Sequence, residues 1–410
     1  MIGLFEIRFA AICKKKQTHY SFKILIMQER RFDIDWLRVI LILSVFVFHI
    51  GMFFNGYSYH LKNNIKVTAL NLPMSFLHCW RMPMLFFISG VGTFFALGKR
   101  GTWKYVAERH RRLFIPLIFG ILILVAPQVY LERAAHYKNY FHFYPHFFEG
   151  AYPKGNFSWH HLWFILYLFL YSMLALPIFN YMKSKKSEKI YLFLEKLLSK
   201  KGGFGFLFIP IFISQLILLP FFPEETHALY NDWAFFTYNF IYFIYGFVLL
   251  SNKKLTQCIF QQRHLNLILG IFAALFMFIG IGFFSTSFSR EIAWKLSSYL
   301  LAWFLPLSFL GYAQKYLNRD NKLRKYANEA IYPVYLLHQP VILFFGFYLK
   351  DLTMNVGLKA LILTGLSVVS VLLIYLVIRK INLLRFIFGM HPNMQKKGPK
   401  EIKIELEKAA

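Results

Sequence analysis

Apolar residues in this chain come in unbroken blocks, where a surface strand or helix would mix them with polar residues at a fixed period. Ten blocks are long enough to cross a hydrocarbon layer of about 30 Å as helices. They lie near residues 36–54, 76–97, 113–131, 161–179, 204–222, 234–251, 265–284, 294–312, 330–349 and 356–378. Inside lipid no water satisfies a peptide group, and a helix closes its backbone hydrogen bonds within one segment. The pattern therefore predicts an all-α polytopic membrane protein of about ten transmembrane helices.

The connectors set the orientation. With the N-terminus in the cytoplasm, 36 of the 47 Lys and Arg fall on the cytoplasmic side, ten fall outside, and Arg38 lies within the first block. This bias predicts both termini cytoplasmic and a multi-pass protein of the cell inner membrane. The acidic connector PEETHALYND, 223–232, falls outside. Composition agrees: 57% hydrophobic, 20% aromatic and 16% charged residues would leave a soluble domain short of polar surface. A net charge of +28 invites a nucleic-acid reading, but the cations are dealt out between blocks and form no single patch. No nucleic acid is expected, and the lipid bilayer with its anionic headgroups is the expected partner.

Residues 1–26 hold a short apolar patch and KKK, 14–16, without a signal-peptide pattern. A start at Met27 would leave MQERRFDIDWLR as a compact basic lead. KKGPKEIKIELEKAA reads as a solvated tail. Cys13, Cys79 and Cys258 have no CxxC spacing, so neither a disulfide nor a zinc site is expected from them.

Candidate chemistry begins in the first block, DWLRVILILSVFVFH, 35–49. Eleven helical steps from Arg38 to His49 end about 20° past three full turns, so both side chains lie on one stripe about 16 Å apart. Arg38 would stand at the cytoplasmic rim and His49 past the bilayer centre. A rim arginine holds a phosphate and a deep imidazole transfers protons. The plainer alternative has Arg38 snorkelling to headgroups beside Asp35, and His49 bonded to a backbone carbonyl.

These residues resemble the first helix of the bacterial acyltransferase-three family of integral membrane acyltransferases. Further matches follow in order: RMPMLFFISG (81–90), RHRRLFIP (109–116), HLWFILYL (161–168) and YPVYLLHQPVI (332–342), with coverage from about 30 to 380. The last match, with DWLRV, most resembles the branch associated with succinylating periplasmic glucans. The resemblance implies an O-acyltransferase that moves an acyl group from cytoplasmic acyl-coenzyme A to a hydroxyl of an extracytoplasmic carbohydrate. It also implies three parts: 1–29 as a cytoplasmic lead, 30–380 as a ten-helix membrane acyltransferase domain, and 381–410 as a cytoplasmic charged tail. Acyl-coenzyme A would be a co-substrate, with no bound cofactor. A separate extracytoplasmic protein becomes a partner if transfer does not end within the membrane domain. Acetyl, succinyl and other short acyl groups fit equally.

On that reading His49 is the general base, and Arg109 with Arg112, three apart ahead of the third block, would clasp a donor phosphate. The positive-inside rule alone also accounts for RHRR. Oxyanion donors are sought in Arg81, the ISG turn (88–90) or a helix broken near Pro83. WHHLWF, 159–164, sets Trp159, His160, His161 and Trp163 at a helix start, as an interfacial belt or as a sugar-stacking platform. The long loop 136–157 is a candidate lid. Its His136, His142 and His146 lack acidic companions, so no metal is expected there. His338 lies between Pro333 and Pro340, either bonded to a freed carbonyl or as a second imidazole on the acyl channel. The competing class is a transporter of an anionic metabolite or sugar precursor, which predicts related halves. No internal repeat is visible. A non-catalytic scaffold ranks third.

Overall fold

A computed structural model describes residues 30–279 and 286–393. The start at Met27, Cys13 and most of the charged tail lie outside the described residues. Among the described residues each of the ten apolar blocks holds a helix: α1 (Phe32–Phe54), α2 (Asn71–Lys99), α3 (Thr102–His136), α4 (His160–Leu174, continued by Leu176–Met182), α5 (Phe204–Leu218), α6 (Trp233–Ser251), α7 (Lys253–Gln261 and Arg263–Phe278), α8 (Ser287–Tyr316), α9 (Lys322–Leu349) and α10 (Val356–Ile378). Among the described residues seven helices are long and apolar enough to cross a membrane, and up to nine if each bent pair is one span. The protein is a multi-pass, all-helical membrane protein.

The blocks differ from the helices where particular residues intervene. α4 bends by 52° after Leu174, because Pro177 has no N–H for the Met173 carbonyl. α7 bends by 58° at Gln262, whose buried amide donates to the Leu198 and Lys200 carbonyls and accepts from Gly202 N. α5 has 15 residues, about 22 Å of rise, less than the block 204–222 suggested. α3 carries π-helical turns at His110–Phe114 and Gly120–Val125, each two residues ahead of a proline, Pro116 and Pro127, that cannot donate to the ordinary ladder. By contrast α2 runs unbroken through Pro83 and through residues 88–90. The expected helix break and ISG turn are therefore absent, since flanking turns keep the segment helical.

Small residues set the closest approach. A Cβ on Gly90 would lie 2.0 Å from the Phe243 carbonyl oxygen, and one on Gly246 would lie 1.8 Å from that of Phe87. α2 and α6 thus touch backbone to backbone, as small residues allow in lipid. α1 sits between α2 and α9. At its start, fully buried Arg324 of α9 bonds Asp35 and reaches Asp320 at 2.7 Å, with its guanidinium 4.7 Å over Phe32. A buried cation between two carboxylates fixes α1 against α9 at the basic end of the bundle. At the opposite end buried Lys359 donates to Asn63, Asn64 and the Lys350 carbonyl, and Lys62 donates to the end of α1. These bonds pin the loop 55–67 over the bundle.

Gly246→Leu should force α2 and α6 apart, at an overpacking cost of about 3 kcal/mol or more. The expected result is a lower melting temperature and a broadened gel-filtration peak in detergent. Gly98→Ala, with nothing within 4 Å of its added carbon, should leave both unchanged.

Candidate active site

Two cavities lie along the same stripe of α1. Arg38 and Ile42 line one of about 380 Å³, while Val45, His49 and Met52 line another of about 500 Å³. The offsets of four, three, four and three residues keep these positions on one face. The stripe thus faces the protein interior from end to end.

The first cavity is basic. Arg38, Lys99, Arg100, Arg109 and Arg112 reach it from α1, α2 and α3, with Asn328 and Tyr332 of α9. Arg38 donates to Asn328 at 3.2 Å and lies 3.5 Å from Asp35. The pairing with Asp35 exists, but Asp35 also serves Arg30 and Arg324, so Arg38 is not neutralised by it alone. Gly92 borders its guanidinium, where an added Cβ would make an ordinary 3.6 Å contact. Arg109 stacks its guanidinium 4.8 Å over Tyr105, and its Nε is buried without a partner among the described residues. Arg112 is more committed, donating to the Gly389 carbonyl at 3.2 Å and to Glu108 at 3.4 Å. Both arginines face one cavity across the π-helical turn, so Arg109 is the freer anion donor of the two.

The second cavity is rich in imidazole. His49 Nδ1 pairs with Tyr59 Oη at 3.0 Å, and its ring lies 5.1 Å from that of His338. His161 stands 5.3 Å from His338 on the other side. Its place follows from Pro340, which has no N–H for the Leu336 carbonyl; His161 Nε2 bonds that oxygen at 3.1 Å. His338 Nδ1 bonds the Tyr335 carbonyl of its own helix. His338 is therefore the carbonyl-bonded histidine beside a proline, in ring contact with His49, and lines neither cavity. His160 turns away from His161 and meets Glu132. Trp163 stacks on His227 at 4.2 Å, which makes it a wall of this cavity. Burial pushes His227, in the loop outside the spans, down to about 4, so it stacks as a neutral ring.

Several polar groups of residues that line this cavity are buried without partners among the described residues: Arg81 Nε and Nη1, the Gln339 amide, and the second ring nitrogen of His161. Arg81 is 4% exposed and packs flat on Phe48, 3.7 Å from the ring centre. Buried donors without acceptors are costly, and such groups gathered around one cavity mark a place where a polar ligand satisfies them. Among the described residues, Tyr335 lines both cavities, and its hydroxyl donates to the His161 carbonyl. It is the wall between them. Tyr59 is one loop tyrosine without a sequence signal, whereas Tyr335 and Gln339 belong to the YPVYLLHQPVI match, where they stand only as neighbours of His338.

The family model described as an acyltransferase domain, of the acyltransferase-three group, matches residues 31–379. Curated relatives named "Glucans biosynthesis protein C" cover 91% of this chain and 97% of their own length. That of Escherichia coli O1:K1 is 23% identical over 389 residues, and that of strain E24377A of serotype O139:H28 is 24% identical over 392. No solved structure matches at a significant level. Both cavities lie within the matched residues, and the chain belongs to the acyltransferase-three family, as a multi-pass membrane O-acyltransferase.

Proposed function

We propose that this enzyme takes an acyl group from acyl-coenzyme A at the basic cavity and delivers it to a carbohydrate hydroxyl in the histidine cavity. The basic cavity opens to the cytoplasm and the histidine cavity to the outside, with ten crossings, both termini inside and residence in the bacterial inner membrane. The domain spans about 30–380 between a short lead and a charged tail. The name of the relatives supports a glucan as acceptor. One observation carries this reading: two chemically different cavities stand end to end along α1, with Tyr335 as their common wall.

The division of labour follows from the residues. Arg38, Arg109 and Arg112 hold the phosphates of the coenzyme, because guanidinium groups pair phosphate oxygens in charge-assisted bonds. The pantetheine arm rises past Ile42, the Tyr335 ring swings aside to let it through, and the thioester carbonyl meets His49. With Nδ1–H donating to Tyr59 Oη, His49 Nε2 carries the lone pair that takes the acceptor hydroxyl's proton. The oxygen attacks the thioester carbon, and the oxyanion finds Arg81 and the Gln339 amide among the buried donors. Collapse expels the coenzyme thiolate, which takes the proton back from the His49 imidazolium. His161 and Trp163 shape the acceptor side.

His49→Ala should lower acyl transfer about 10²–10⁴-fold at unchanged abundance. The measurement is transfer of radiolabelled acetyl-coenzyme A to a glycan fraction by inverted vesicles. Retained transfer dismisses His49 as base, and uptake of an intact solute in place of labelled glycan supports transport. Arg109→Gln should raise the KM for acyl-coenzyme A about tenfold with kcat nearly constant, since one charge-assisted bond is worth about 1.5–3 kcal/mol. Steady-state kinetics in detergent decides it, and a pure kcat effect contradicts the assignment. Tyr335→Ala should join the cavities and let water reach the thioester. Thiol release without acceptor then rises, and an unchanged rate contradicts the partition.

A further inference from the structure

The mechanism above leaves one cluster unused. His60 in the loop after α1, Glu132 near the end of α3 and His160 at the start of α4 point their ligand atoms at one another, all within 4.8 Å. We infer that these three side chains form a binding site for one divalent transition-metal ion of the zinc class at the rim of the histidine cavity. The inference stands on ligand geometry and does not depend on the acyl-transfer reading.

The spacing fits. His160 Nε2 lies 2.8 Å and His60 Nδ1 lies 3.1 Å from the same carboxylate oxygen, Oε1 of Glu132. A tetrahedral zinc ion with bonds of about 2.0–2.1 Å holds its ligand atoms roughly 3.3 Å apart, so both nitrogen–carboxylate separations are within a few tenths of an ångström of that spacing, and the nitrogen–nitrogen separation is within 4.8 Å. The two imidazoles are stacked, 4.1 Å between centres and 22° between planes, so one ring must tilt for both in-plane lone pairs to meet a single ion.

Charge and support fit as well. The Glu132 side chain is 7% exposed, and among the described residues it pairs with no Lys or Arg, only with these histidines. A buried carboxylate needs a counter-charge. Neighbouring Arg133 is spent elsewhere, donating to the Pro153 and Gly155 carbonyls and to Asn156. The ligands are held from behind: Ser158 Oγ bonds His160 Nδ1 at 2.7 Å, and Tyr152 Oη donates to Glu132 Oε2 at 3.1 Å. Such outer partners fix ring and carboxylate orientation at metal sites. His160 also keeps φ at +40°, a left-handed backbone that side-chain-bearing residues adopt at a cost of about 1–3 kcal/mol where the surroundings enforce it.

The donor set names the ion class. Two imidazoles and one carboxylate favour zinc and its neighbours over magnesium or calcium, which prefer all-oxygen shells. Three protein ligands leave a fourth position open. His60, His160 and Tyr152 line the cavity, so that position faces it, where an oxygen of a bound hydroxyl compound would complete the shell.

The test uses the full chain, isolated in detergent through a histidine-free tag, stripped with chelator and dialysed against Zn²⁺ or Co²⁺. One Zn²⁺ per chain by elemental analysis is expected, with the visible absorption of tetrahedral Co²⁺. Glu132→Gln and His160→Ala should each weaken Zn²⁺ binding about 100-fold or more. His146→Ala, at an exposed His–Glu pair, should not. The Co²⁺ spectrum needs no variant and so stands even if His160→Ala fails to fold. Background zinc with no Co²⁺ band in the wild type overturns the site and leaves a hydrogen-bonded triad, as does full stoichiometry in both variants.

Discussion

A peptide chain crossing hydrocarbon must satisfy its own backbone, and that obligation removes most of its freedom to choose where side chains point. On α1 it means that Arg38 and His49, eleven residues apart, share one face whatever packs around them. The rest of the site depends on this alignment. α2, α4 and α9 close around the stripe, and the glycine contact of α2 with α6 and the buried Asp35–Arg324 pair hold those helices in place. The aligned cation and imidazole then occupy separate cavities, one suited to phosphate and one to a hydroxyl.

Polar groups in such a bundle must be used or paired, which gives the proline positions of α9 their meaning. Pro340 frees the Leu336 carbonyl, and His161 from another helix answers it. The pairing fixes one wall of the histidine cavity through backbone chemistry, in a helix that remains continuous. Tyr335, the residue before Leu336, holds the His161 carbonyl in return. This reciprocal bond makes the partition between the cavities a property of two helices together.

The helical blocks and the Arg38–His49 stripe were legible in the sequence, because hydrophobic length and the 3.6-residue period are local signals. Arg109 and Arg112 were legible as a pair, whereas the π-helical turn that separates them was not. Arg324 was hidden for a different reason. At a basic membrane edge every arginine looks like a topology signal, and only packing distinguishes the one that is fully buried. His60, Glu132 and His160 come from three distant segments, so no spacing in the chain announces that they meet. The bends at Pro177 and Gln262 lie inside apolar runs, where hydropathy is blind to a missing N–H or a buried amide.

The central claim is that Arg38 and His49 belong to one donor passage entered from one side, with His49 also reached from the other. Single cysteines at these positions, in a chain whose Cys13, Cys79 and Cys258 are serine, test it with a membrane-impermeant maleimide. Arg38→Cys should label only in inverted vesicles and His49→Cys only in right-side-out ones, and acetyl-coenzyme A added at the cytoplasmic face should protect both. Labelling of both from one side, or protection confined to position 38, would contradict the account.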